Sequence, residues 1–133
     1  MNFKLIFGLS LFGVGMALAT VWFIPSVIEP FCWLAIYVAC AWQIAKYAPR
    51  RYFLHGFLIS ILNCVWITGI HIILLNTYLA HHAKEAAQYT KLDKEIGLTP
   101  TMAMLVLAPF IGTFFGMVLG LFAIFARGIW SDR

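Results

Sequence analysis

Residues 102–129 read MAMLVLAPFIGTFFGMVLGLFAIFARGI, and Arg127 is the only charged residue among them. Water cannot hydrogen-bond a peptide group inside lipid, so an apolar stretch of this length is typical of a membrane-spanning helix. Three earlier stretches, 5–24, 31–45 and 52–79, contain no Asp, Glu, Lys or Arg at all. The sequence therefore predicts an all-α membrane protein with four spans, the last covering about 101–129.

The composition leaves room for little besides these spans. The chain has 133 residues, of which 63% are hydrophobic and 11% charged, against about 25% charged residues in a typical soluble domain. We therefore expect residues 1–133 to form a single transmembrane domain, a four-helix bundle in the lipid bilayer. The net charge of +4 falls mainly in the connections between spans, which indicates membrane orientation and not nucleic-acid binding.

The basic residues predict a bundle with both termini in the cytoplasm. Lys and Arg accumulate on the cytoplasmic side of a membrane. Four spans place the two termini and the connection 46–51 on one side, whose charged residues are Lys4, Lys46, Arg50, Arg51, Arg127 and Arg133, with Asp132. The segment 80–100 balances three Lys with three acidic residues, and we expect it outside the cytoplasm.

The first span has an alternative interpretation as a signal peptide. Lys4, an apolar stretch and the triplet Ala17-Leu18-Ala19 resemble the order of charge, apolar region and cleavage site in such a peptide. Because the apolar stretch continues to Ile24, we prefer a retained span. Cleavage would leave three spans in the same orientation.

The segment 80–100 is predicted to connect spans three and four, either as a helical extension with a loop or as a helix on the outer membrane surface. Tyr89, Leu92 and Ile96 fall on one face of such a helix. Its candidate metal ligands are His81, His82 and Glu85, of which the first and last would share a helix face. Without a fixed fourth ligand, polar residues at a helix end explain this group better, and we expect no metal site.

The fourth span carries small residues at every fourth position. We call this set, Ala108, Gly112, Gly116 and Gly120, the small-residue stripe. Small residues at this spacing let another helix approach closely. The spacing is compatible with packing inside the chain and with contact between copies. Pro109 lies beside the stripe and predicts a kink, either as a static bend or as a hinge.

The third span carries the polar residues expected to form a site. Ser60, Asn63, His71 and Tyr78 fall within one helical face at 100° per residue. An amide or imidazole in hydrocarbon needs a partner, so this face should point into the bundle. It either hydrogen-bonds a neighbouring helix or lines a pocket for a ligand or ion.

Several chemistries find no support in the sequence. No carboxylate lies inside a span, and Cys32, Cys40 and Cys64 have no C-x-x-C spacing. His55 and His71 lie sixteen residues apart on nearly opposite sides of one helix, so two-histidine haem ligation would require a dimer. We identify no catalytic residues and expect no cofactor.

The second half of the chain resembles small four-span bacterial inner-membrane proteins of a domain-of-unknown-function family common in Bacteroidota. The residues that carry the resemblance are His55-Gly56-Phe57, a polar gap, Pro109 with the glycines of the stripe, and Arg127. The resemblance implies the fold and a bacterial inner-membrane location. It implies no activity.

Three functions are compatible with this sequence. The first is a non-enzymatic scaffold or accessory subunit that acts through helix–helix contacts, either as a homo-oligomer or with another membrane protein. The second is an oligomeric transporter or pore for a small solute, which would use the polar face of span three and a hinge at Pro109. The third is a membrane enzyme or cofactor binder centred on His71.

Overall fold

The structure, a computed structural model, describes residues 1–131 and is built of helices alone in this range. The predicted all-α class is therefore confirmed. Asp132 and Arg133, which enter the charge argument, lie outside the described residues. The helices are α1 (Phe3–Trp22), α2 (Glu29–Tyr47), α3 (Tyr52–Ile73), α4 (Leu75–His81), α5 (Ala83–Ile96) and α6 (Pro100–Ser131).

Three of these helices, α1, α3 and α6, are long and apolar enough to cross a membrane. This finding supports a membrane protein. Helix α2 has 19 residues, about 28 Å at 1.5 Å per residue, but Glu29, Gln43 and Lys46 make it less apolar than the other three. A fourth span at α2 stays a prediction.

Local sequence explains where the helices begin and end. The Asn2 side chain accepts a hydrogen bond from the Leu5 backbone N–H at 3.1 Å, which caps α1. Thr99 does the same for α6, since the Met102 N–H lies 3.4 Å from its hydroxyl, and Pro100 occupies the first helical position. Gly97, with φ of +67°, ends α5 in the left-handed region that favours glycine.

The predicted third span, 52–79, is divided into two helices at Leu74. Neither proline nor glycine marks this break in the sequence. The break coincides with a tertiary contact: Tyr78 of α4 is buried in a small cluster with Val21 and Met104. Helix α5 then follows as a separate element, with Tyr89 packed against the same cluster.

Helix α3 lies at the centre of the packing. It makes its largest interfaces with α6 and α1, whereas α2 packs mainly on α6 and touches α3 less. Ile44 of α2, Ile59 of α3 and Leu119 of α6 are fully buried where these helices meet. The smaller α2–α3 interface leaves space between the helices.

Candidate functional site

A cavity of about 480 Å³ lies between α2, α3 and α6. The volume falls within the usual range of small-molecule sites. Tyr78 of α4 and Tyr89 of α5 also contribute to its wall. The three long walls include the following side chains: Trp33 and Tyr37 of α2, Ser60, Asn63 and His71 of α3, and Phe115 of α6. All four residues of the polar face predicted on span three thus line one cavity.

Asn63 occupies the middle of this wall and is 2% exposed. Its Oδ1 accepts a hydrogen bond from the Gly13 backbone N–H of α1 at 3.2 Å. The same residue's Nδ2 is buried, and no acceptor for it occurs within the described part of the chain. Asn63 therefore contacts α1 through its oxygen and keeps a free donor.

Ser60 lies one turn before Asn63 and faces α2. Its hydroxyl is 3.1 Å from the Tyr37 hydroxyl, and both side chains are buried. Only one of the two hydroxyl protons can lie between these oxygens. This pair connects α2 to α3 where the two helices otherwise contact little.

His71 connects α3 to α1 near the other end of the cavity. The Thr20 hydroxyl donates to the carbonyl of Met16 at 2.9 Å and to that of Ala17 at 3.0 Å. His71 Nε2, 2.9 Å from the same hydroxyl, therefore donates to it. In the neutral form of the ring, this assignment makes Nδ1 the acceptor.

The His71 ring belongs to a column of three stacked rings. Tyr78 lies on one face of His71 with ring centroids 4.2 Å apart, and His82 stacks on Tyr78 at 4.3 Å. His82 Nδ1 donates to the Tyr78 carbonyl at 3.0 Å. The column covers the end of the cavity at α4 and holds Tyr78 across the break at Leu74.

One carboxylate from outside the long apolar helices, that of Glu29, lines the cavity, and a second, that of Glu85 in α5, lies near Tyr89 of the cavity wall. Glu29 accepts a hydrogen bond from Trp33 Nε1 at 3.2 Å and lines the cavity. Burial raises the pKa of Glu85, but the neighbouring Ser26 hydroxyl, the Glu85 backbone and nearby positive charge together lower it below its usual value. Burial raises the pKa of Tyr89, as does the Glu85 charge.

The small-residue stripe of α6 faces α3. A Cβ on Gly120 would lie 2.6 Å from the Phe53 ring, and one on Gly116 would lie 2.8 Å from the Phe57 ring. Gly112 is less crowded, because a Cβ on it would lie 3.2 Å from the Cβ of Cys64. In this chain the stripe thus lies against a helix of its own fold.

Ala108, the first residue of the stripe, lines the cavity. Its carbonyl accepts a hydrogen bond from Cys64 Sγ at 3.1 Å. Pro109 is exposed inside α6 and lacks the N–H that would bond the Leu105 carbonyl. Pro109 therefore interrupts the helix ladder at the level of the cavity, and its role as hinge or bend stays a prediction.

The candidate metal ligands do not converge. His81 is exposed and its Nδ1 donates to the Thr77 carbonyl at 2.9 Å, whereas His82 is buried against Tyr78. Across residues 1–131, no three His, Cys, Asp or Glu side chains lie close enough together to hold a metal ion.

Sequence reasoning did not identify the partners of the polar face. Gly13 and Thr20 of α1 and Tyr37 of α2 hydrogen-bond Asn63, His71 and Ser60 in turn. Thr20 and Tyr37 carried a signal, since each places a hydroxyl inside an apolar stretch. Gly13 carried none beyond its small size.

Comparison with known proteins adds no relative. No protein-family model, curated protein or solved structure matches the chain. The geometry of the cavity is therefore the basis for the proposed function.

Proposed function

We propose that this protein is a multi-pass membrane protein that holds a small, largely apolar molecule in the cavity between α2, α3 and α6. The observation that carries the proposal is that the polar residues of α3 line a cavity of about 480 Å³ and not only a helix interface. Intramembrane polar residues are costly and commonly mark ligand or ion paths. The proposed activity is non-covalent binding, as in a carrier or transporter.

The proposed topology is a four-span bundle, with α2 as the second span and both termini in the cytoplasm of a bacterium. The clustering of basic residues at one end supports this orientation. The Asn2 N–H donates to His55 at 3.0 Å, and the Arg127 guanidinium lies 5.4 Å from the centroid of the Tyr52 ring. The start of α1 and the last turns of α6 therefore meet the start of α3. The bacterial inner-membrane location depends on the resemblance to four-span bacterial proteins.

A scaffold or accessory subunit is the competing proposal. Its main sequence argument was the small-residue stripe, which packs against α3 within the chain. A partner helix or a second copy would have to bind another face. The proposal of an enzyme or cofactor binder centred on His71 gains little from the geometry, because Nε2 bonds Thr20 and one ring face is covered by Tyr78.

The proposal is tested by filling the cavity. Ala108 lines the cavity, whereas Ala39 lies on the exposed face of α2, so Ala108→Phe and Ala39→Phe add the same ring inside and outside it. Native mass spectrometry of protein released from lipid nanodiscs should show a reproducible adduct in the wild type and in Ala39→Phe. Ala108→Phe should abolish it.

An adduct that survives in Ala108→Phe, or a wild type that carries none, would contradict ligand binding in the cavity. A defined oligomer that carries no adduct would instead support the scaffold proposal.

A further inference from the structure

The free donor of Asn63 identifies what the cavity recognises. Gly13 donates to Oδ1, so the orientation of the amide is fixed and the nitrogen is the unpaired end. A buried donor without an acceptor destabilises the state that contains it. A ligand that brings an acceptor to this nitrogen therefore recovers a bond that this part of the protein leaves unmade.

A second donor lies one helical turn away. Tyr37 and Ser60 share one proton between their hydroxyls, and the other hydroxyl proton remains for a further acceptor. Because Ser60 precedes Asn63 by three residues, the two side chains are neighbours on α3. The middle of the cavity thus offers hydrogen-bond donors on one wall.

The charges of the wall disfavour an anionic ligand, since Glu29 is the charged side chain among the described lining residues. Among the described residues that line the cavity there is no Lys or Arg. An anionic group would lose its hydration here without gaining a counter-charge. Leu107, Ile111 and Phe115 of α6 add apolar side chains to the cavity wall.

We propose, on the basis of the ligand-binding function, that the ligand is a largely apolar molecule without negative charge, whose carbonyl oxygen accepts a hydrogen bond from Asn63 Nδ2. Two sources present this chemistry in a membrane. One is a free hydrophobic molecule such as an alkylated quinone, and the other is the ester carbonyl of a bilayer lipid that enters between the helices.

The test uses two probes that differ in their carbonyl groups, decylubiquinone and decylbenzene, with full-length protein in nanodiscs of ether lipids, which lack ester carbonyls. Native mass spectrometry over a series of probe concentrations measures how much of each probe is retained and gives the affinity of both. The wild type should bind the quinone roughly tenfold more tightly than the hydrocarbon, as expected for one added hydrogen bond. Asn63→Leu should remove this preference, and Ala108→Phe should block both probes.

Asn63→Leu also loses the bond to Gly13 and could therefore fail to fold. The comparison of the two probes on the wild type does not depend on that variant and tests the proposal by itself. Equal retention of both probes, lost in Ala108→Phe, overturns carbonyl recognition and leaves ligand binding in the cavity intact. If the wild type retains neither probe, carbonyl recognition is overturned. Ligand binding in the cavity is then tested separately by the adduct experiment on protein to which no probe has been added.

Ester-lipid nanodiscs separate the two sources. If the ester carbonyl of a lipid is the ligand, these nanodiscs should reduce quinone retention at least several-fold and leave a lipid adduct on the wild type that Ala108→Phe lacks. If the ligand is a free hydrophobic molecule, quinone retention should be the same in ester and ether lipids. Both results support the proposal, provided that the preference for the quinone over decylbenzene is present.

Discussion

Gly13 of α1 and Asn63 of α3 are in direct contact: the Gly13 N–H donates to Asn63 Oδ1 at 3.2 Å, and a Cβ on Gly13 would lie 2.7 Å from the same oxygen. The same Cβ would lie 2.8 Å from the backbone Cα of Asn63. The amide therefore keeps its orientation only while residue 13 has no side chain.

Gly13→Ala is expected to destabilise the fold by about 1–3 kcal/mol, the usual cost of overpacking. The added methyl meets backbone as well as the amide, so a side-chain rotation alone cannot accommodate it. Gly15→Ala is the matched control on α1, because nothing lies within 4 Å of its Cβ position. Thermal unfolding in detergent micelles should show a lower Tm for Gly13→Ala alone, and equal Tm values for the two variants would contradict this contact.

The glycines of α3 and α6 give a graded version of the same test. Gly56→Ala should destabilise strongly, since its Cβ would lie 2.7 Å from the Leu119 carbonyl oxygen, which belongs to backbone. Gly112→Ala should cost less, because its nearest neighbour is the Cys64 side chain at 3.2 Å. Gly69→Ala, with no atom within 4 Å, is the control on α3. Unfolding titrations should rank the three variants in this order, and a Gly112→Ala that matched Gly56→Ala would argue against the α3–α6 packing.

Much of this fold follows from the sequence by simple physical rules. The hydropathy of α1, α3 and α6 requires long helices in lipid, and Thr99-Pro100 marks the start of α6. Helical periodicity likewise puts Ser60, Asn63 and His71 on one face. The break at Leu74 could not be predicted, because it depends on where Tyr78 packs after the helices assemble.

The hydrogen-bond partners on neighbouring helices also could not be predicted from the sequence. Whether Asn63 meets Gly13 or another residue of α1 depends on the axial offset and crossing angle of two helices. Periodicity within one helix contains neither quantity. The cavity has the same origin, since it exists because α2 packs on α6 more than on α3.

The hydrogen bond between Thr20 and His71 should contribute a modest, measurable coupling. Double-mutant cycles in another membrane protein average about 0.6 kcal/mol per bond, with a maximum of about 1.7 kcal/mol. We expect the cycle of Thr20→Val and His71→Phe to give a coupling free energy of unfolding in this range. A cycle of Thr20→Val with Asn63→Leu is the comparison, since those two side chains share no hydrogen bond. A coupling of zero for Thr20 and His71 would contradict the assigned bond.

The environment of Glu85 predicts how α5 responds to acid. Because its pKa is below the usual value when folded, Glu85 stabilises the folded segment above its unfolded pKa of about 4.5. This contribution is lost as the pH falls through the lower folded pKa. An NMR titration of the Glu85 carboxyl carbon should give a midpoint below that of an unfolded peptide, and Ser26→Ala should raise it. Acid should also make the wild type more sensitive to protease near α5, and Glu85→Gln should remove this pH dependence. A Glu85 midpoint at or above the peptide value would show that burial outweighs the stabilising neighbours.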